Sequence, residues 1–389
     1  MSTQIGQAPS RSERGGNLRN IQFLRFVAAA LVVMSHAGLA IYGIAPATTN
    51  LGGVGVDIFF VISGFIMPYM TYGGSPGIPA VPKFDGIQFL LKRLTRIWPL
   101  YAIATLTMVA LAALLTTGLF PMDQYVAYHF GAHKIDLGWI LQSLTFTHLT
   151  GGPIIPLGWT LQAEFIFYVF FAVVLIAKPP RTSLYPALYF VVFGILGAIP
   201  FLFQSPESFV GKIFTVVGSP MMLEFFFGML LYEAYSRNLR TSVHLSIILG
   251  LIGVGIFYLA AFTSVISFVP STFYRPLTWG IAAMLLVWAA LSMEGKVSVG
   301  HISELGDSSY SLYLVHGLLT PFITGAWNGI GGQNYVPWFL YLLGTLAISQ
   351  FVALWVYKYI EHPIHEQTKR KIDTGWHAGL GRIGTSRAR

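Results

Sequence analysis

The chain has 389 residues, of which 54% are hydrophobic and only 10% charged, with no cysteine and a net charge of +8; its mean hydropathy is +0.66. This balance excludes an ordinary soluble domain, and the absence of cysteine excludes a disulfide framework, a thiolate metal site and a thiol nucleophile. The basic surplus does not call for nucleic acid, because in a membrane protein it collects in cytoplasmic loops.

Apolar windows of about 20 residues predict helices near 20–41, 52–72, 98–117, 157–177, 184–204, 213–235, 243–263, 274–293, 308–330 and 337–360. The alternating ten-residue segments of a β-barrel are missing. The expected fold is therefore an all-α polytopic membrane protein of about ten transmembrane helices. With the amino terminus inside, 19 of the 23 Lys and Arg residues fall in inner segments and three in outer loops (Lys134, Lys212, Arg275), with Arg25 inside a span. That bias predicts both termini on the cytoplasmic side. Residues 1–19, polar and rich in Ser, Gly and Arg, read as a disordered tail, residues 20–363 as the transmembrane domain, and residues 364–389 as a basic cytoplasmic tail.

The first span, IQFLRFVAAALVVMSHAGLAIY, carries Arg25 and His36. Eleven positions at about 100° return both side chains to one face, separated by about 16 Å along the axis. An ionisable group at membrane depth is costly unless paired or facing a polar cavity, so two in one span mark a functional site. The second span opens LGGVGVDIFFVISGF, with Asp57 near the outer surface and glycines that permit close helix packing. An amphipathic segment with Lys92, Arg93 and Arg96 then runs into the third span. Arg93 and Arg96, three apart, are neighbours on a helix and suit phosphate through their forked donors.

The outer loop 118–156 holds Asp123, His129, His133, Asp136 and His148 among many aromatics. His129 and His133 have a helical metal-ligand spacing, but no third ligand stands at a suitable distance, so no metal site is expected. Glu164 enters the fourth helix, and Glu224 lies deeper in the sixth. The ninth places Tyr310, Tyr313 and His316 toward the inner half. Counting inward at 1.5 Å per residue, His36, Asp57 and Glu164 fall about 8–10 Å from the outer ends. Arg25, Arg93, Arg96 and His316 fall in an inner layer. A histidine flanked by carboxylates, above a set of phosphate-binding cations, describes a reaction between an anionic cytoplasmic donor and an acceptor arriving from outside.

These motifs together resemble the acyltransferase-3 family of bacterial membrane O-acyltransferases: Arg25 and His36 with ten residues between them, GVDIFFVISGF at 55–65, Arg93-x-x-Arg96, LGWTLQAEFIFY at 157–168, SYSLYLVH at 309–316 and IEHP at 360–363. The resemblance implies an acyl-CoA co-substrate, usually acetyl-CoA, and no permanently bound cofactor. It implies a polysaccharide or glycolipid hydroxyl as acceptor, a place in the bacterial inner membrane, and polysaccharide biosynthesis machinery as a further partner. It makes His36 the essential histidine, Arg25 its partner cation, and Arg93 and Arg96 donor-binding. Asp57 or Glu164 would orient the imidazole as the third group of a triad does. Tyr310, Tyr313, His316 and Glu224 stand as secondary candidates. Some members add a periplasmic esterase-like domain, which is not expected here. The competing reading is a transporter or flippase for a glycan or lipid-linked sugar, which usually shows paired repeats; none is visible.

Overall fold

A computed structural model of the protein describes residues 18–45, 50–73, 82–83, 85–117, 136–149, 152–177, 208–262 and 273–386, with scattered helical positions between 188 and 199. The amino-terminal tail up to 17, Asp123, His129 and His133, and most of the span expected at 184–204 lie outside them. Among the described residues the secondary structure is helical, with no strand. The bundle is formed by α1 (Arg19–His36), α2 (Val54–Tyr72), α3 (Gly86–Thr116), a short α4 (Leu137–Leu144), α5 (Gly158–Ala177), α6 (Phe209–Val217), α7 (Met222–Ser236), α8 (Val243–Phe262), α9 (Ile281–Met293), α10 (Ser309–Gly329), α11 (Trp338–Val356) and α12 (His362–Ser386).

Among the described residues seven segments are long and apolar enough to cross a membrane, which makes this a polytopic membrane protein. Helices α1 and α10, counted as spans above, fall outside those seven; Arg25 and His36 on α1, and the tyrosines and His316 on α10, dilute their apolar character. The distribution of side chains fits lipid surroundings. Leu251 and Phe351 are 66% and 74% exposed on the perimeter, while Asp57, Glu224 and His316 are fully buried. Lipid leaves no hydrophobic force to drive helices together, so close backbone contact and internal polar bonds must hold them.

Helix α2 is the axis of the packing. A Cβ at Gly55 would stand 2.1 Å from the Ala28 carbonyl oxygen of α1, and one at Gly64 would stand 2.1 Å from that of Phe225 on α7. Gly228 of α7 answers with the same distance to the Val61 carbonyl oxygen. These glycines let α2 touch two neighbours backbone to backbone. Helix α1 is anchored differently: Glu294, just past α9, accepts hydrogen bonds from the Arg19 and Asn20 backbone N–H groups at 2.9 and 3.0 Å. An acidic side chain from another helix thus does the work of an N-cap.

Several boundaries differ from those read in the sequence. The amphipathic segment and third span form one 31-residue helix, α3, started by the Asp85 cap on Gln88 N and continuing through Pro99. The span expected at 213–235 is two helices, α6 and α7, broken around Gly218 and Pro220, because proline cannot donate to the preceding turn. The last span passes through a π-helical turn, Tyr357–Glu361, directly into α12. The carboxyl-terminal basic segment is therefore helical, tied to α3 by a 2.7 Å ion pair between Asp373 and Lys92.

The α2–α7 contact leaves no room for a branched side chain. Gly64→Val should lower the melting temperature of the detergent-solubilised protein by a destabilisation of about 1–3 kcal/mol, whereas Val at Gly255, which has nothing within 4 Å of its Cβ position, should leave it within a degree or two.

Candidate functional site

A cavity of about 390 Å³ opens between α1, α2, α3, α5 and α10. Its polar wall is made by Arg25, Arg93, Arg96, Glu164, Tyr168 and Tyr310, and its apolar wall by Val56, Phe59, Phe60 and Leu161. The three arginines, on two helices, converge here as the spacing suggested. They are not equivalent. Arg25 donates through Nη1 to Gln22 at 3.0 Å, and Gln22 donates in turn to Asp307 at 2.9 Å. Asp307 lies beyond the helices, and burial holds its carboxyl above the usual range against the pull of Arg25 and Arg96. Arg96 forms an ion pair with Glu361, which is 3% exposed and also accepts from Ser311 at 2.5 Å. Arg93 sits 6.0 Å over the Phe89 ring, and its Nε is buried without a hydrogen-bond partner.

Glu164 belongs to this cavity and not to an outer layer. It accepts from Ser63 at 2.7 Å and from Tyr168 at 2.5 Å. The depth count assumed that α5 starts at the membrane surface. Instead the segment before it is sunk into the bundle: Ile154, Ile155 and Leu157 are at most 5% exposed. Gln162 holds that segment by donating to the Phe146 and His148 carbonyls at 2.9 and 2.8 Å.

His316 is corrected in the opposite direction. Helix α10 starts inside the bundle on the buried Ser308 and Ser309, with Gly306 pressed against the backbone of Gln22. His316 consequently rides up beside His36, ring centroids 5.3 Å apart. His36 is at the exposed end of α1, and its Nδ1 lies 2.9 Å from the Val32 carbonyl. Below the pair, the Tyr313 ring meets His316 edge-on at 5.9 Å, and the Tyr313 hydroxyl shares a 2.7 Å hydrogen bond with Thr160. Tyr313 and Thr160 both line the cavity. Ring contacts therefore lead from Tyr313 in the cavity wall, shared with the arginines, to the two histidines, which do not themselves line the cavity. Tyr310 is anchored lower, donating to the Ile97 carbonyl at 2.7 Å.

Asp57 is not placed at His36. Arg275 takes it up, Nε to Oδ1 at 3.0 Å and Nη2 to Oδ2 at 2.9 Å, both residues at most 1% exposed. Arg275, counted above as an outer-loop charge, is thus a buried helix partner. Both Glu224 carboxylate oxygens are buried without a hydrogen-bond partner, against Gly280. This second cluster lies in the packing of α2, α7 and the π-helical turn Pro276–Gly280, away from the cavity lining. Sequence reading missed Arg275, Glu361 and His365, the last a cavity-lining residue of α12. Glu361 was within reach, because IEHP places a carboxylate at the basic end of a span. Among the described residues no group of three or more His, Asp or Glu could hold a metal ion.

The fold and site define a helical membrane enzyme whose polar chemistry is enclosed between spans. Residues 18–357 match the Acyl_transf_3 family, an acyltransferase domain, and the chain belongs to that family. It is 29% identical over 342 residues to the exopolysaccharide production protein ExoZ of Rhizobium meliloti (strain 1021), covering 85% of this chain and 95% of that one. It is 25% identical over 356 residues to the putative membrane-bound transacylase BcsY of Komagataeibacter xylinus, covering 88% and 82%. No solved structure matches it. The protein is an acyltransferase, which sets aside the transporter reading.

The Asp57–Arg275 pair can be tested apart from the cavity. Removing Arg275 leaves the Asp57 carboxylate buried beside Glu224 with its cation gone, so Arg275→Met should destabilise by about 3–5 kcal/mol, read as loss of melting temperature and of membrane-embedded protein. The double replacement Asp57→Ala with Arg275→Met should recover much of that loss.

Proposed function

We propose that this acyltransferase transfers an acyl group, most simply acetyl, from acyl-CoA on the cytoplasmic face to a hydroxyl of an exported glycan, with His36 as general base. The reading places the basic end of the bundle and both termini in the cytoplasm and the protein in the bacterial inner membrane. An exopolysaccharide acceptor is supported by the name of the ExoZ relative. Residues 20–363 would act as one catalytic unit, with α12 lying along the inner surface and the polysaccharide biosynthesis machinery delivering the acceptor.

The observation that carries this is the arginine-lined cavity, with the ring contacts that lead from it to the histidines. Arg93, with its buried unpartnered Nε, and Arg25 offer donors for the CoA phosphates. The apolar wall suits the pantetheine arm, whose thioester then reaches Tyr313 and Thr160, beneath the histidines. The His36 Nδ1 stands at hydrogen-bonding distance from a carbonyl, which only accepts, so that nitrogen carries the proton and Nε2 keeps the lone pair. A sugar hydroxyl gives its proton to Nε2 as its oxygen attacks the thioester carbonyl; the C–S bond breaks and the thiolate takes the proton back. Glu164 neutralises part of the arginine charge between donor cycles, a different role from orienting the base.

Membranes carrying the protein, supplied with radiolabelled acetyl-CoA, should place alkali-labile label in polysaccharide. His36→Ala should cut that transfer by about 10²–10⁴-fold at unchanged protein level and donor affinity. Arg93→Ala should weaken acetyl-CoA binding more than it slows saturated turnover, and Arg93→Lys should restore it only in part. Full transfer by His36→Ala would reject the assignment of the base.

A further inference from the structure

We infer that Tyr313 is a catalytic residue of the acyl transfer: its hydroxyl donates to the thioester oxygen and stabilises the oxyanion that forms when the acceptor attacks. The inference rests on the acyl-CoA reading above.

The hydrogen bonds at this end of the cavity point to that role. Tyr313 and Thr160 both line the cavity, and their hydroxyls share a 2.7 Å bond that clasps α10 to α5. The Leu157 carbonyl lies 3.3 Å from the Tyr313 hydroxyl and 2.9 Å from that of Thr160, and it also accepts from the Thr160 backbone N–H at 3.3 Å. A carbonyl oxygen has two lone pairs, so Thr160 alone supplies it fully. The shorter of the two hydroxyl contacts keeps the Thr160 proton on Leu157. The Tyr313 proton, resting on the Thr160 oxygen, is then the one that can be given away. A substrate oxygen that takes it leaves no buried donor or carbonyl unpaired, and so avoids the cost of an orphaned polar group.

Other hydroxyls of the lining are committed elsewhere. Ser63 and Tyr168 donate to Glu164, and Tyr310 donates to the Ile97 carbonyl. Tyr69 stands toward the carboxyl end of α2, away from Phe59 and Phe60. Tyr313 itself is 6% exposed, with its ring edge-on to Phe59 at 6.0 Å and to His316 at 5.9 Å, so its hydroxyl is held in place before any substrate arrives. Val56, Phe59, Phe60 and Leu161 make the wall apolar, and in such a setting a fixed donor aimed at a developing charge is worth most.

The step balances without a co-reactant. As the acceptor oxygen attacks, the C=O π pair moves onto the carbonyl oxygen, which accepts from Tyr313. When that pair returns, the C–S bond breaks and the thiolate leaves. Tyr313 keeps its proton throughout and turns it back to Thr160.

The test measures label transferred from radiolabelled acetyl-CoA to polysaccharide in membranes over a range of donor concentrations, per mole of protein that binds CoA. Tyr313→Phe keeps the ring and removes the hydroxyl, whereas Thr160→Val breaks the same clasp and leaves that hydroxyl in place. Tyr313→Phe should lower the saturated rate about 10²–10³-fold, with KM for acetyl-CoA and CoA affinity near wild type. Thr160→Val should stay within about tenfold of wild type, the worth of one neutral hydrogen bond. Equal losses in the two variants would make the pair a structural clasp and overturn the inference. So would a Tyr313→Phe rate within about tenfold of wild type, or a loss of about 10²-fold in Thr160→Val by itself. No transfer by the wild-type protein is a different result, and it would reject the acyl-CoA reading on which the inference rests.

Discussion

The constraint on which this structure depends is the cost of placing guanidinium groups inside an apolar bundle. Four of them lie among the spans, and each has a different settlement. Arg275 is neutralised by the two-pronged contact to Asp57, and Arg96 by Glu361. Arg25 is spread over a side-chain chain through Gln22 to Asp307. Arg93 faces Glu164 and Tyr168 across the cavity and leaves its Nε buried without a partner. A bundle that satisfied all four internally would have no use for an anionic ligand. The incomplete settlement of Arg93, beside a cavity that also takes in Arg25, is what supports the proposal of an anionic donor there.

The same constraint explains why the helices are packed as they are. Charges can be held at depth only if the elements that carry them do not slide, and in lipid this rests on close contact and internal hydrogen bonds. The glycines of α2 supply the contact, fixing Asp57 against the turn that carries Arg275 and Ser63 against Glu164. The sunk segment before α5 and the buried start of α10 supply the depth. They move Glu164 inward to the arginines and His316 outward to His36, exchanging the positions that simple counting from helix ends assigns to them.

The motifs were legible because each breaks an otherwise apolar run: Arg25 and His36 in α1, Arg93 and Arg96 in α3, Glu164 in α5. The convergence of Arg25, Arg93, Arg96 and Glu164 on one cavity follows from the cost of burying them separately, while His36 stands outside its lining. What could not be read was pairing. Asp57 and Arg275 are 218 positions apart, and nothing in either local sequence points to the other, so Arg275 read as an ordinary outer-loop charge. Depth failed for a related reason. Hydropathy marks where an apolar run begins, and the hydrophobic residues Ile154, Ile155 and Leu157 look the same whether they start a helix or line a segment folded into the bundle.

The separation of labour between the cavity and the histidines has a chemical logic. In the reaction proposed above, an anionic donor would be held by charge and released again after its acyl group departs, so its phosphates would belong on the cavity arginines. The proposed acceptor hydroxyl is neutral and would come from the other side, so it would need a base at an exposed helix end. A histidine suits both proposed demands, because it can take up a proton and return it near neutral pH without standing as a permanent charge. Among the described residues, the carboxylates of the bundle are settled elsewhere: Asp57 is bound to Arg275, Glu361 to Arg96, and Glu164 accepts from Ser63 and Tyr168 in the cavity that Arg93 lines.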